Sequence, residues 1–401
     1  MSVVTRGSAQ LAPSAVRIAH SRIRELAEMA MRMDGVFKLY FGESTLPTPE
    51  FIKRAAREAL DRGETFYTSN AGLLSLREAI AEYYGRVHGV KLDPNAHIVV
   101  TASGVQALNV SIRCMLDPGD EALVLTPAWP NGSSIIEMCN ARPRQIAQVF
   151  VNGRYGIDFE ALERAVTPRT RLLMYTSPSN PLGWVATEKD QEQLLEFARR
   201  HGLWLLADEV YERLYYPSDG SQRPAPSILR KVEPQDSVVV AQSFSKAWCM
   251  TGWRLGWLVA RPDLAQRAVQ LNEFIISCAN TFVQRAGEAA LRHGEAALSE
   301  MLAFYRANRD YCLARLQAMP RVRVPQPEGA FYLFPQIEGL SHSFEFCRRL
   351  LLETKVGLAP GVAFGAGGEG SVRLSYASDR AVLEPALDRL ADFLTRADCL
   401  K

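Results

Sequence analysis

The sequence contains no apolar run approaching the roughly 20 residues that cross a bilayer, and its N-terminus lacks the apolar core of a signal peptide. Neither membrane insertion nor export is expected, which leaves the cytoplasm as the default location. There is no C-x-x-C pair. The seven cysteines, an odd number scattered from Cys114 to Cys399, read as reduced thiols rather than a disulfide framework. The six histidines show no metal-ligand spacing, so no metal site is expected. No sign of charge dominates either. With 46 Lys and Arg against 44 Asp and Glu, the formal net charge is +2, without the basic bias of a dedicated nucleic-acid binder. No internal repeat, low-complexity tract or Gly/Ser linker marks a boundary.

What is present fits a globular enzyme. Hydrophobic content of 47% and charged content of 22% are ordinary for one, and 401 residues exceed a single ordinary core, pointing to a large domain plus a smaller one. Residues 1–32 carry Arg6, Arg17, Arg22, Arg24 and Arg32, a faint likeness to a transit peptide, but Glu25 and Glu28 fit an amphipathic helix there. Helices are expected at Pro49–Leu60, Leu74–Tyr84 and Asp190–His201. Strand candidates are His97–Thr101, Glu121–Thr126, Arg171–Thr176, Leu203–Ala207, Ser237–Gln242 and Leu255–Ala260. Their centres are continuously apolar rather than alternating, as in strands buried on both faces of a mainly parallel sheet flanked by helices. After about residue 285 the texture changes to long helical patterns, Thr281–Met319 among them. Short strands follow at Val322–Pro325, Ala330–Phe334 and Ser371–Ser375, then a last helix at Ala381–Thr395. The expected division is an arm and part of the small domain over 1–45, a large domain over 46–285 and a small α+β domain over 286–401.

Unusual residues fall just beyond the C-terminal ends of the candidate strands. Ser103-Gly104 follows the first, Trp129 the second, Asn180-Pro181 the third, Asp208 and Tyr211 the fourth, and Ser243 to Lys246 the fifth. Ligands of open α/β sheets bind along this edge, where residues distant in sequence converge. Lys246 lies between small hydroxyl residues and a stretch rich in Trp, Met and Cys, apparently enclosed. Apolar surroundings lower an amine's pKa and make it a usable nucleophile for Schiff-base chemistry. Arg254, eight residues on, offers a fork suited to a phosphate. Together they point to a covalently held aldehyde cofactor with a phosphate.

Each residue has a plainer alternative. Ser103 in Thr101-Ala102-Ser103-Gly104-Val105 opens a phosphate cradle or is a simple N-cap. Trp129 stacks on a planar ring or packs on the core. Asp208 meets a cation or caps a helix. Asn180 is a turn residue before proline, and Tyr67 a core or loop residue. Arg373, on an otherwise apolar strand, meets an anion or forms a structural ion pair.

Over nearly the whole chain, from about Leu11 to the last helix, the sequence resembles the class I aminotransferases, pyridoxal-phosphate enzymes of fold type I, in the manner of aspartate and aromatic aminotransferases. The resemblance is carried by Gly42-Glu43 with Pro47-Thr48-Pro49, Tyr67, Ser103-Gly104, Trp129, and Asn180-Pro181 with Gly183. It continues through Asp208-Glu209-Val210-Tyr211, Ser243-x-Ser245-Lys246 with Arg254, Gly329-Ala330-Phe331-Tyr332, Pro360-Gly361 with Phe364-Gly365, and Arg373. It implies pyridoxal 5′-phosphate joined to Lys246 as an aldimine, with the same lysine then shuttling a proton. Asp208 would pair with the pyridine nitrogen, Asn180 and Tyr211 with the phenolic oxygen, and Trp129 with the ring face. Ser103, Gly104, Val105, Ser243, Ser245 and Arg254 would hold the phosphate. Tyr67 would reach it from the neighbouring subunit, which implies a homodimer with active sites at the interface. Arg373, with Asn180 and the Gly42 backbone, would bind the substrate α-carboxylate.

The resemblance further implies a ping-pong transfer of the amino group from an L-amino acid to a 2-oxo acid. Two departures from the family pattern bear on the donor: Ser44-Thr45-Leu46 replaces a common Pro-Asp-Phe, and Val105 stands where several dicarboxylate-preferring relatives carry lysine; Leu182 in place of a frequent threonine is without chemical consequence. A donor not restricted to aspartate, apolar or aromatic, is therefore expected. The same residues also serve a lyase, decarboxylase or cyclase on this fold. A DNA-binding sensor is disfavoured because only about 45 residues precede the large domain.

Overall fold

The computed structural model describes residues 11–396 and 399–400. Arg6 of the transit-like stretch lies outside them. Arg22 and Arg24 sit on a helix, Arg22–Met31, that buries Ile23, Leu26, Ala27 and Ala30 along one side. The arginines are thus the polar face of a packed amphipathic helix.

At the centre is a seven-stranded sheet in the order Ile98–Thr101, Gly256–Ala260, Val238–Ser243, Trp204–Asp208, Thr170–Thr176, Glu121–Thr126, Arg142–Ala147. All pairings are parallel except those of Gly256–Ala260, which runs antiparallel to both neighbours. The continuous apolar centres follow from burial on both faces. Val238 and Val240 join one core with Leu205 and Trp257, whereas Val239 and Ala241 join another with Leu206 and Leu258. Successive side chains point to opposite faces, so a strand covered on both sides needs no polar positions. The strand Arg142–Ala147 had no apolar run to announce it. It pairs on one side only, leaves much of its length exposed, and so tolerates the sequence Arg-Pro-Arg-Gln.

Helix ends obey local chemistry. Glu188–His201 begins with a capping box between Thr187 and Asp190 and ends at Gly202 in the left-handed region. The helical run expected over Thr281–Met319 is broken at Gly294 into Thr281–His293 and Glu295–Gln317. A Cβ at Gly294 would strike the Ala290 carbonyl and the Trp248 indole. The first of these helices packs on Glu50–Asp61 and Leu74–His88, beside the central sheet, and the second on Arg380–Leu394. Near the C-terminus, Ala359–Pro360, Val372–Ser375 and Tyr332–Leu333 form a small antiparallel sheet. Phe37–Lys38 pairs with Val356–Gly357, and Arg22–Met31 packs on Ser343–Thr354, so N-terminal residues join C-terminal elements.

Candidate active site

The C-terminal ends of the central strands open into a cavity of about 570 Å³. Gly42, Gly104, Val105, Trp129, Asn180, Asp208, Tyr211, Ser243, Ser245, Lys246, Arg254 and Arg373 all line it. Two sequence candidates are placed otherwise. The Ser103 side chain accepts from the Gln106 N–H at 3.2 Å and caps the helix Gly104–Met115, so the plainer alternative holds for its hydroxyl. Its backbone sits at φ +109°, a conformation costly for a non-glycine residue and held here at the cavity's edge. Tyr67 does not line this cavity and is 87% exposed.

One end of the cavity is built for an anion. The leading N–H groups of the helix Gly104–Met115 have no partner within the helix. Facing them are Ser243 and Ser245, whose hydroxyls lie 3.0 Å apart, and Arg254, whose Nη1 also donates to the Thr251 carbonyl at 2.8 Å. The close approach depends on Gly256, where a Cβ would collide with the Gly104 N and the Gln242 carbonyl.

The middle holds Lys246, Asp208 and Tyr211. Lys246 Nζ donates to the Gly42 carbonyl at 2.5 Å and lies 5.7 Å from the Tyr211 ring centroid and 5.8 Å from that of Phe331. Burial first, then the Arg373 charge, lowers its amine to about 8. The enclosure expected from its sequence neighbours has another source. Trp248 packs on Phe244 in the core, Cys249 turns to Met301, and residues distant in sequence surround the amine. Asp208 is buried without an ion-pair partner among the described residues, and no helix follows for it to cap. Burial pushes its carboxyl up to about 7. Tyr211 shares a 2.7 Å hydrogen bond with the Tyr332 hydroxyl, and burial holds its phenol well above the usual range.

At the far end, Arg373 is a buried cation without an anion. Its Nη1 donates to Asn180 Oδ1 at 2.7 Å and Nη2 to the Tyr40 carbonyl, while Nε has no partner among the described residues. The guanidinium lies 4.4 Å from the Tyr332 ring centroid and 5.0 Å from that of Phe364. No structural ion pair explains it. Gly42 must be glycine, since a Cβ there would strike the Tyr332 hydroxyl.

Arg24 was read in the sequence only as one of several N-terminal arginines. In the structure its helix brings it to the cavity wall, 5.5 Å from the Phe41 ring centroid and without an ion pair among the described residues. The same cavity is lined by the apolar Ile23, Phe41, Leu108, Val105 and Trp129 and by the polar Ser21, Glu43 and Asn131. No local motif marks Arg24, because its role follows from where its helix packs. Trp184 and Trp248, unplaced by sequence, are buried core residues.

The donor set fits one kind of group. A lysine of lowered basicity, an anion cradle on one side and a buried carboxyl lacking a cation on the other suit a planar aldehyde bearing a phosphate and a basic ring nitrogen. Independent comparisons agree with this chemistry. The family described as aminotransferase class I and II matches residues 34–390. The chain is 37% identical to aromatic-amino-acid aminotransferase 2 of Thermococcus litoralis over 93% of its own length and 95% of the relative's. It is 36% identical to an aspartate aminotransferase of Pyrococcus horikoshii, over 95% and 96% respectively. The crystal structure of aspartate aminotransferase from Thermotoga maritima superimposes with a TM-score of 0.89 at 33% identity, covering 96% of this chain and all of that one.

Proposed function

The chain belongs to the class I and II aminotransferases and is a transaminase of fold type I; from that premise, we propose that its cavity binds pyridoxal 5′-phosphate around Lys246 and accepts both apolar and acidic amino donors. The observation carrying this reading is the buried Asp208 carboxyl, which lacks a cation on the same cavity as the low-basicity Lys246 amine. When bound, the cofactor supplies an electron sink for the negative charge left at the substrate Cα.

The protein's own residues supply the rest. Asp208 would pair with the ring nitrogen, Asn180 and Tyr211 would face the phenolic oxygen, and Trp129 would cover the ring. Gly104 and Val105 N–H groups, Ser243, Ser245 and Arg254 would hold the phosphate, with Ser103 shaping the turn. Arg373 binds the α-carboxylate with Asn180, and Lys246 Nζ removes and returns the Cα proton. Keeping these charges fixed in a closed cavity avoids solvent reorganisation as charge develops. Held this way, the cofactor would let the site exchange an amino group between an L-amino acid and a 2-oxo acid. The relatives' shared name favours this over elimination, decarboxylation or cyclisation.

Donor breadth is supported by the apolar side chains of the wall and by Arg24. The sequence offered no cation for an acidic side chain in place of Val105, and Arg24 supplies one. The homodimer is supported by exposed apolar side chains on two segments that hydrogen bonds join. Phe66 and Tyr67 lie on a loop whose Phe66 carbonyl accepts from Thr281 Oγ1 at 2.6 Å, and whose Asn70 carbonyl accepts from Asn272 Nδ2 at 3.1 Å. Phe274, 86% exposed, and Ile275 stand beside that contact. Tyr67 would extend from this surface into the partner's cavity. We assign residues 46–285 to a large domain and 286–401 to a small one joined by residues of 11–45, with the helix Thr281–His293 straddling that boundary and packing on the large domain. Among the described residues no helix is long and apolar enough to cross a membrane, and we place the enzyme in the cytoplasm.

The test is spectroscopic. With pyridoxal phosphate the protein should develop a band above roughly 350 nm that borohydride fixes onto Lys246, that amino donors bleach and that 2-oxo acids restore. A Lys246→Ala protein that still completes both half-reactions overturns the assignment.

A further inference from the structure

Behind the cavity lies a polar cluster that the proposed chemistry does not use. Glu212 follows Tyr211 directly, and its side chain points away from the cavity, being 2% exposed. Oε1 accepts from the Tyr83 hydroxyl, Oε2 lies 3.0 Å from His88 Nε2, and the Gln242 side chain also bonds the carboxyl. His88, likewise 2% exposed, and Tyr83 come from the helix Leu74–His88, which contributes no residue to the cavity wall. Gln242 precedes Ser243 and accepts its N–H at 3.2 Å.

A buried carboxyl is costly unless all its lone pairs and protons are matched. Here burial selects the neutral assignment. Burial pushes Glu212 up to about 8 and His88 down to about 4, so at neutral pH the acid is protonated and the imidazole neutral. Oε2–H then donates to His88 Nε2, while Oε1 accepts from Tyr83. Arg213, whose charge acts on the carboxyl, is engaged by Glu295 at 2.6 Å and makes no ion pair with Glu212. The acid therefore acts as a hydrogen-bonding fork and not as a charge.

What the fork joins is specific. On one side, through the peptide bond to Tyr211, it is tied to the turn that carries Asp208. On the other, through Gln242, it reaches the strand end that carries Ser243 and Ser245. We propose that Glu212 is a positioning residue of the cofactor site: clasped by Tyr83, His88 and Gln242, it sets the separation between the ring-holding turn and the phosphate-holding strand end. The proposal rests on the reading of the cavity as a pyridoxal phosphate site.

The experiment compares Glu212→Ala, Glu212→Gln and Gln242→Met with wild type. It measures the pyridoxal phosphate dissociation constant, the pH midpoint of the bound cofactor's absorbance band, and kcat and KM separately. Because the acid is neutral, glutamine reproduces the fork: its NH₂ donates to His88 and its carbonyl accepts from Tyr83. Glu212→Gln should stay within about threefold of wild type, whereas Glu212→Ala should weaken cofactor binding by about tenfold or more. It should also move the band's midpoint and lower kcat with little change in KM. Gln242→Met, which cuts only the arm to Ser243, should weaken cofactor binding without moving the thermal midpoint of the cofactor-free protein, and it keeps the test open if Glu212→Ala fails to fold. Variants that bind cofactor like wild type with an unmoved band, and differ only in melting temperature, overturn the proposal. So does a Glu212→Gln protein as impaired as Glu212→Ala. Wild-type protein that binds no cofactor overturns the underlying reading together with the proposal.

Discussion

Arg373 donates to Asn180 Oδ1 at 2.7 Å while no carboxylate among the described residues pairs with its guanidinium. A buried guanidinium with Nε unpartnered among the described residues suits a bidentate anion. Arg373→Lys should lower kcat/KM by about 100-fold or more, since an ammonium cannot reproduce the fork. The cofactor band should persist, because Arg373 stands at the far end from Ser243 and Arg254. Stopped-flow bleaching by one amino donor measures both.

Lys246 should be reactive at lower pH than surface lysines. With its amine lowered to about 8 by burial and by Arg373, deprotonation occurs well below the ordinary lysine range. In cofactor-free protein, modification of Lys246 by an amine-selective reagent, followed by mass spectrometry, should rise through pH 8 or thereabouts. A midpoint like that of the other lysines would contradict this.

Asp208 makes the cofactor-free protein less stable as pH rises. Its folded pKa, raised to about 7, exceeds the unfolded value, so the folded state binds the proton more tightly. Its contribution is fully present below about pH 4 and is lost as pH rises through about 7. The stability of wild type relative to Asp208→Asn should fall across that window in urea titrations. Loading the cofactor, with a cationic ring nitrogen beside Asp208, should flatten the difference.

Arg24 should discriminate among donors. Arg24→Ala is expected to cut kcat/KM for acidic donors by about tenfold, the modest value expected for a solvent-exposed cation, and to leave aromatic donors nearly unchanged. Equal losses for both classes would remove Arg24 from the donor site.

The exposed Phe66, Tyr67, Phe274 and Ile275 surface should be where two copies meet. Phe274→Asp places a charge in it and should shift sedimentation from dimer to monomer, with cofactor affinity falling because Tyr67 no longer reaches the partner's phosphate. A variant that stays dimeric shows that the copies join elsewhere.

Much of this was legible beforehand because it is local. Each continuous apolar run marked a strand covered on both faces, and the unusual residues at the strand ends converge on one cavity in the structure. The edge strand Arg142–Ala147 was missed because an edge has no apolar pattern to show. Arg24 was missed because no motif within the helix Arg22–Met31 marks which side reaches the cavity; that is set by how the helix packs. Ser103 shows the opposite limit: its N-cap role was visible from local spacing, but not its strained backbone.

By itself, the sequence determined the layered architecture, the sheet edge at which the cavity opens, and the lysine, serines and arginine that line it. These follow from periodicity and from residue types within short segments. Only the tertiary structure decided what surrounds Lys246, that Arg373 lacks an anion among the described residues, that Arg24 reaches the cavity wall, and that Tyr83, His88 and Gln242 clasp Glu212. Those properties arise from desolvation and from contacts between segments far apart in the chain, and neither is written in any local pattern.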